Sequence, residues 1–191
     1  MEQELNDKIR GLAKRYQSMQ IISPELTDEL STIRGEITND LKSLSPEEQD
    51  MFTHNLRESS IAVNGQPPQT HTGYGVIREI FCDILVDRLS DSAQRRYSMI
   101  QNGLGQSQSA SDITTYIRNT MISLPEDQFE VFTQAVNNYV VPTENQGFQL
   151  TQPAINRLSF GINEVRNILA EVTAERARRN AELESDGMGE M

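Results

Sequence analysis

The stretch SLSPEEQDMFTHNL, Ser43 to Leu56, recurs in altered form as SLPEDQFEVFTQAV, Ser123 to Val136. Extending the ungapped match to EITNDLKSLSPEEQDMFTHNL (36–56) over YIRNTMISLPEDQFEVFTQAV (116–136) gives six identities in 21 positions. Ile37 meets Ile117, Asn39 meets Asn119, Ser43 meets Ser123 and Leu44 meets Leu124. Phe52 then meets Phe132 and Thr53 meets Thr133, and only the Pro-Glu pair slips by one position. The shared positions are apolar or cap-forming, the ones that a helical supersecondary unit needs most.

The match continues on both sides. AKRYQSMQ (13–20) resembles AQRRYSMIQ (93–101), and Val76, Arg78, Phe81 and Val86 find Ile155, Arg157, Phe160 and Val165 at an offset of 79. A fixed period with pieces in the same order is the mark of repeated supersecondary units. TAERARRNAEL (173–183) echoes SAQRRYSMI (92–100), as the first helix of an unfinished third unit would.

Helical spacing runs through the chain. Leu5, Ile9, Leu12, Tyr16 and Met19 step by four, three, four and three, which places them on one helix face. Leu26, Leu30, Ile33, Ile37, Leu41 and Leu44 form a longer stripe, and Ile155, Leu158, Ile162, Val165, Leu169 and Val172 another. Val76, Ile77, Ile80, Phe81, Ile84, Leu85 and Leu89 make a broader apolar face, as in a more deeply buried helix. SPEL (23–26) and SPEE (45–48) each offer a serine N-cap, a proline at the first helical position and acids near the positive helix end. Ser45 with Glu48 also fits a capping box. The second copy keeps Pro125 but has Leu124 where the serine would stand.

These signals predict an all-α fold of about eight helices in two similar four-helix units packed as one body. The units are expected over 1–90 and 91–172, followed by a charged helix over 173–191 that projects from the body and frays near Gly187. Between the third and fourth helix of each unit lies a polar segment, 59–75 and 139–153. Each is expected to be a plain loop or a short β-hairpin. Asn64-Gly65 is a turn signal, and NYVV and FQLT have strand-forming content. Pro67-Pro68 weakens the hairpin reading for the first segment.

Composition narrows the function classes. The formal charge is −11, and neither half carries a basic stripe. DNA bears about one negative charge per 1.7 Å, so nucleic acid is disfavoured as a partner. The N-terminal sequence lacks the apolar core of a secretory signal, and no apolar run is long enough for a membrane span. A single cysteine forms no intrachain disulfide, which fits a reducing compartment: a cytoplasmic protein, or one delivered into a host cytosol. Lys8, Lys14 and Lys42 are the only lysines, while arginine supplies the other cations. Compositional drift is the plain reading of that bias. Avoidance of a lysine-directed modification inside a host cell is the sharper one.

Reaction motifs are missing: there is no phosphate-binding Gly-Lys-Ser/Thr loop, Cys-x-x-Cys, His-Glu-x-x-His or Gly-x-Ser-x-Gly. No cofactor and no metal site is expected. Cys82 with His71 or His54 is the one nucleophile-and-base set the chain contains. REIFCDILVDRL places Cys82 inside an apolar helix among acids, where a structural thiol is the default and an activated one is not. His54 and Glu58 share a helix face but are too few to fix a metal.

The expected function is therefore noncatalytic binding to another protein, as an adaptor, inhibitor or effector, with self-association as a variant of it. Segments 64–75 and 142–152, or the C-terminal helix, would carry the contacts. Tyr74, His71, Phe148 and Gln149 are the candidates in the segments, and Arg176 and Arg179 in the helix. The plain reading of Tyr74 and Phe148 is that each ring plugs its own unit's core. A cysteine-dependent hydrolase or transferase is the first alternative, and an acidic mimic of nucleic acid the second.

Overall fold

The computed structural model describes residues 2–61, 74–145 and 147–187, with side chains over 3–56, 75–145 and 147–183. The described residues are predominantly helical, with one two-stranded hairpin. In order they form α1 (Glu2–Ile22), α2 (Thr27–Lys42), α3 (Pro46–Ile61), α4 (Tyr74–Gln101), α5 (Gln108–Ser123), α6 (Glu126–Asn138), β1 (Glu144–Asn145), β2 (Phe148–Gln149) and α7 (Gln152–Gly187).

The eight helices expected in the two units become seven among the described residues, because the break expected near 90/91 does not occur. Around Ser90 the chain runs on as α4, and past Val172 it runs on as α7. Neither place holds a glycine or proline. The hydroxyl side chains there turn back onto their own helix: Ser92 Oγ donates to the Arg88 carbonyl at 3.0 Å, and Thr173 Oγ1 to the Leu169 carbonyl at 2.8 Å. The chain divides into two compact units at Ile84/Leu85, inside α4.

In the first unit, Ile9 and Ala13 of α1 pack with Ile33, Ile37 and Leu41 of α2, Phe52 and Leu56 of α3, and Val76, Ile77, Ile80 and Ile84 of α4. Leu5, Leu12, Tyr16 and Met19 complete the α1 stripe, half-buried against the same cluster. Ion pairs fasten the rims: Lys8 to Asp40 at 2.7 Å, and Arg34 to Glu79 and Asp83 at 2.9 and 3.2 Å. The Ser45 capping box is formed. Ser45 N–H donates to Glu48 Oε2 at 2.7 Å, and Glu48 N–H donates to Ser45 Oγ at 3.3 Å. Ser23 does not cap α2. Its N–H donates to the Met19 carbonyl at 2.8 Å, so it finishes α1, and α2 opens on Leu26 without a side-chain cap.

In the second unit, α5 and α6 bury Ile117, Met121, Leu124, Phe132 and Val136, and α7 contributes Ile162, Val165, Ile168, Leu169 and Val172. Ser107 caps α5 by accepting from the Ala110 N–H at 3.3 Å. α4 ends in a left-handed turn at Gly103 (φ 76), where Leu104 N–H donates to the Met99 carbonyl at 2.8 Å and Gly103 N–H to that of Ile100 at 3.0 Å. α7 crosses α4 at Gly161: a Cβ there would lie 2.7 Å from the Ser90 carbonyl oxygen. The same crossing carries the Tyr97–Phe160 ring pair, with centroids 4.8 Å apart, and the Arg96–Glu164 ion pair at 2.7 Å. Only a residue without a Cβ lets these backbones approach so closely.

Candidate interaction surfaces

Of the two alternatives for the segment between α6 and α7, a plain loop or a short hairpin, the chain forms the hairpin. Within NYVV, Asn138 ends α6 and residues 139–141 stay irregular, whereas Phe148–Gln149 pairs antiparallel with Glu144–Asn145. Asn145 stands opposite Phe148 and Glu144 opposite Gln149, and Leu150 N–H donates to the Thr143 carbonyl at 2.8 Å. Gly147 takes the positive φ, 80°, that lets the chain reverse.

The end of α6, from which the chain leaves toward the hairpin, is held by α7. Arg166 of α7 donates to the Tyr139 carbonyl at 2.9 Å and to the Val136 carbonyl at 3.3 Å, satisfying the C-terminal end of α6. Burial pushes the Tyr139 phenol above its ordinary pKa, and the negative charges of Asp87 and Asp91 add to the effect.

The tip is open. All four strand residues are exposed, Phe148 at 77% and nearby Val140 at 82%. Phe148 therefore does not plug the core of its own unit. Gln149 is exposed beside it in β2. Of the residues singled out in the first polar segment, His71 lies outside the described residues. Tyr74 is the first residue of α4, and its side chain is also outside them.

The two arginines of the distal α7 have different settings. Arg176 is largely buried and faces the junction of α5 and α6, where its guanidinium donates to the Leu124 carbonyl at 2.8 Å and pairs with Glu126. Arg179 is exposed and pairs with Glu175 on its own helix. Burial pushes the Glu175 carboxyl up, but Arg179 and Arg118 outweigh it and hold the group below the ordinary carboxylate range.

Cys82 is fully buried at 0% exposure, while His54 is exposed. A thiol in that position meets no substrate unless the core opens. Among the described residues no three His, Cys, Asp or Glu side chains are grouped as a metal site, and no helix is long and apolar enough to cross a membrane. Many carboxylates, including Asp40, Glu79, Asp83, Glu164 and Glu171, sit in ion pairs with Lys or Arg. A nucleic-acid mimic needs its negative charges unpaired and in line.

The sequence reading passed over Ile21, Ile22 and Leu104, which are strongly exposed at the α1–α2 and α4–α5 turns. The signal was present for the isoleucines: both fall off the Leu5–Met19 stripe. Comparison with known proteins returns no matching family, no matching curated protein and no matching solved structure.

Proposed function

We propose that this chain is a noncatalytic protein-binding module, built from two copies of one helical unit, that meets its partner through the hairpin between α6 and α7. The observation that carries the reading is the exposed Phe148 on the hairpin, with exposed Val140 close by in sequence, beyond the α6 end that Arg166 holds. A two-stranded hairpin without an apolar face is marginal in water, so a partner that buried Phe148 would also steady the hairpin, and aromatic side chains are enriched where interfaces gain their binding energy. Gln149 supplies an adjacent polar contact. The partner is another protein, with a second copy of this chain as one case. The buried single cysteine suits a reducing compartment, the cell's own cytosol or that of a host.

Duplication is supported by side chains at an offset of 80. Ile37/Ile117, Leu41/Met121, Leu44/Leu124, Phe52/Phe132 and Leu56/Val136 are buried in both copies. Ser43 and Ser123 each donate to the carbonyl three residues back, at 2.6 and 2.9 Å. Thr53 and Thr133 each donate to the carbonyl four residues back, at 2.8 Å. Six-position similarity in sequence thus extends to burial and hydrogen bonding.

The test is affinity capture from the source cells with the parent chain and a Val140→Ser/Phe148→Ser variant. The reading expects specific partners to be lost from the variant while its helical content is unchanged. Equal recovery of every partner by both chains defeats it.

A further inference from the structure

The distal half of α7 is held by a different kind of force from the rest of that helix. Up to Val172 the inner face is apolar, with Ile162, Val165, Ile168, Leu169 and Val172 buried. Past Val172 the inward positions belong to Glu175 and Arg176, whose side chains are each 17% exposed. Arg118 of α5 bridges Glu171, at 2.9 Å, and Glu175, which also receives Arg179. Arg176 spans the α5–α6 junction. It donates to the carbonyls of Leu124 and Ile122 at 2.8 and 3.3 Å, pairs with Glu126, and lies 4.2 Å above the Phe129 ring. Beyond Arg179, residues 180–183 are exposed.

Two apolar side chains at this junction, Leu124 and Phe129, are 8% and 7% exposed. Arg176 supplies part of the cover over Phe129. We propose that residues 173–187 form a charge-held strap that opens as a unit and uncovers Phe129 and Leu124, while 152–172 stays docked. The two halves of α7 answer to different conditions. Burial of Ile162 to Val172 does not depend on charge, whereas the more exposed Arg118 and Arg179 pairs, and the pairing of Arg176 with the exposed Glu126, are screened as the Debye length falls to about 3 Å near 1 M salt. Exposed ion pairs are individually weak, and a detached helix of about 15 residues is marginal in water. Loss of the Glu171, Glu175 and Glu126 pairs together therefore releases the end of α7, and the release stops at Val172. A partner presenting its own charges to Arg118 and Glu175 opens the strap in the same way. The inference is independent of the hairpin reading.

Hydroxyl-radical footprinting of the full chain, read by mass spectrometry at Phe129 and Phe132, tests it. The samples are the parent and a Glu126→Gln/Glu171→Gln/Glu175→Gln variant at about 50 mM and about 1 M sodium chloride, with Glu144→Gln as a charge control. Oxidation of Phe129 is expected to rise about fivefold in the variant, and in the parent at high salt. Phe132, which is fully buried, and the control are expected to stay at parent levels. Phe129 remaining protected under both conditions overturns the proposal. So does a parallel rise at Phe132, which means the unit opens as a whole, or an equal rise in the control.

Discussion

Replacing Gly161 with alanine isolates the α4–α7 crossing. The new Cβ would stand 2.7 Å from the Ser90 carbonyl oxygen, 2.8 Å from Gln94 Cγ and 2.8 Å from Ser90 Oγ. Gln94 can swing aside, but a backbone carbonyl inside α4 cannot, so one helix must retreat. Overpacking of this kind costs roughly 1–3 kcal/mol. The alanine also gains about 1 kcal/mol of helix propensity over glycine. The net expectation is a loss of about 1 kcal/mol. Gly35, inside α2, is the internal control: a Cβ there meets nothing within 4 Å. Gly35→Ala is expected to show the propensity gain alone, about 0.5–1 kcal/mol. Thermal and urea denaturation followed by circular dichroism should therefore move in opposite directions for the two variants, by about 2–4 °C each way for a chain of this size. If Gly161→Ala stabilises as much as Gly35→Ala, the close approach at Ser90 is wrong.

Cap chemistry gives a second paired test: Ser45→Ala is expected to lose about 1 kcal/mol in urea denaturation, and Ser23→Ala less than about 0.5. Equal losses would mean that the capping box is not special. Cys82 is expected to resist a thiol reagent in the folded chain and to react fully in denaturant; rapid native labelling, scored by intact mass, would contradict its burial. For Glu175, with its folded pKa below the unfolded value, the stabilising charge contacts are present at neutral pH and disappear as the pH falls through the folded pKa. Carboxyl-carbon NMR should place that titration below the ordinary carboxylate range. A midpoint at or above that range removes the Arg118 and Arg179 contacts as its cause.

The positions that build the helices were legible because burial imposes a period that sequence displays. The stripes through Ile37 and Leu41, and through Ile162 to Val172, fall on the faces that are buried. Helix ends were less legible. Ser45 followed by Pro46 and Glu48 announced a cap that is formed, yet the similar SPEL opened no helix, because α1 had already extended to Ile22. Ser90 and Ser92 resembled a boundary, but polar residues interrupt a helix only if their side chains draw the backbone away, and Ser92 bonds within it. The distal α7 was read as projecting because its apolar stripe ends at Val172. A guanidinium that docks through carbonyls, a carboxylate and an aromatic face leaves no apolar signal, so the α5–α6 junction could not be read as the place where Arg176 docks. Phe148 was singled out by its place in the polar segment, but an aromatic after glycine reads the same whether it plugs a core or stands in solvent.

Photo-crosslinking from the hairpin addresses the binding claim without presupposing the partner. A benzophenone amino acid at position 148, introduced into the full chain in its source cells, is compared with the same group at position 134, an exposed site on α6. A discrete adduct formed from 148 and absent from 134 is the predicted result. No adduct from 148, or the same adduct from both positions, means the hairpin is not where this protein meets its partner.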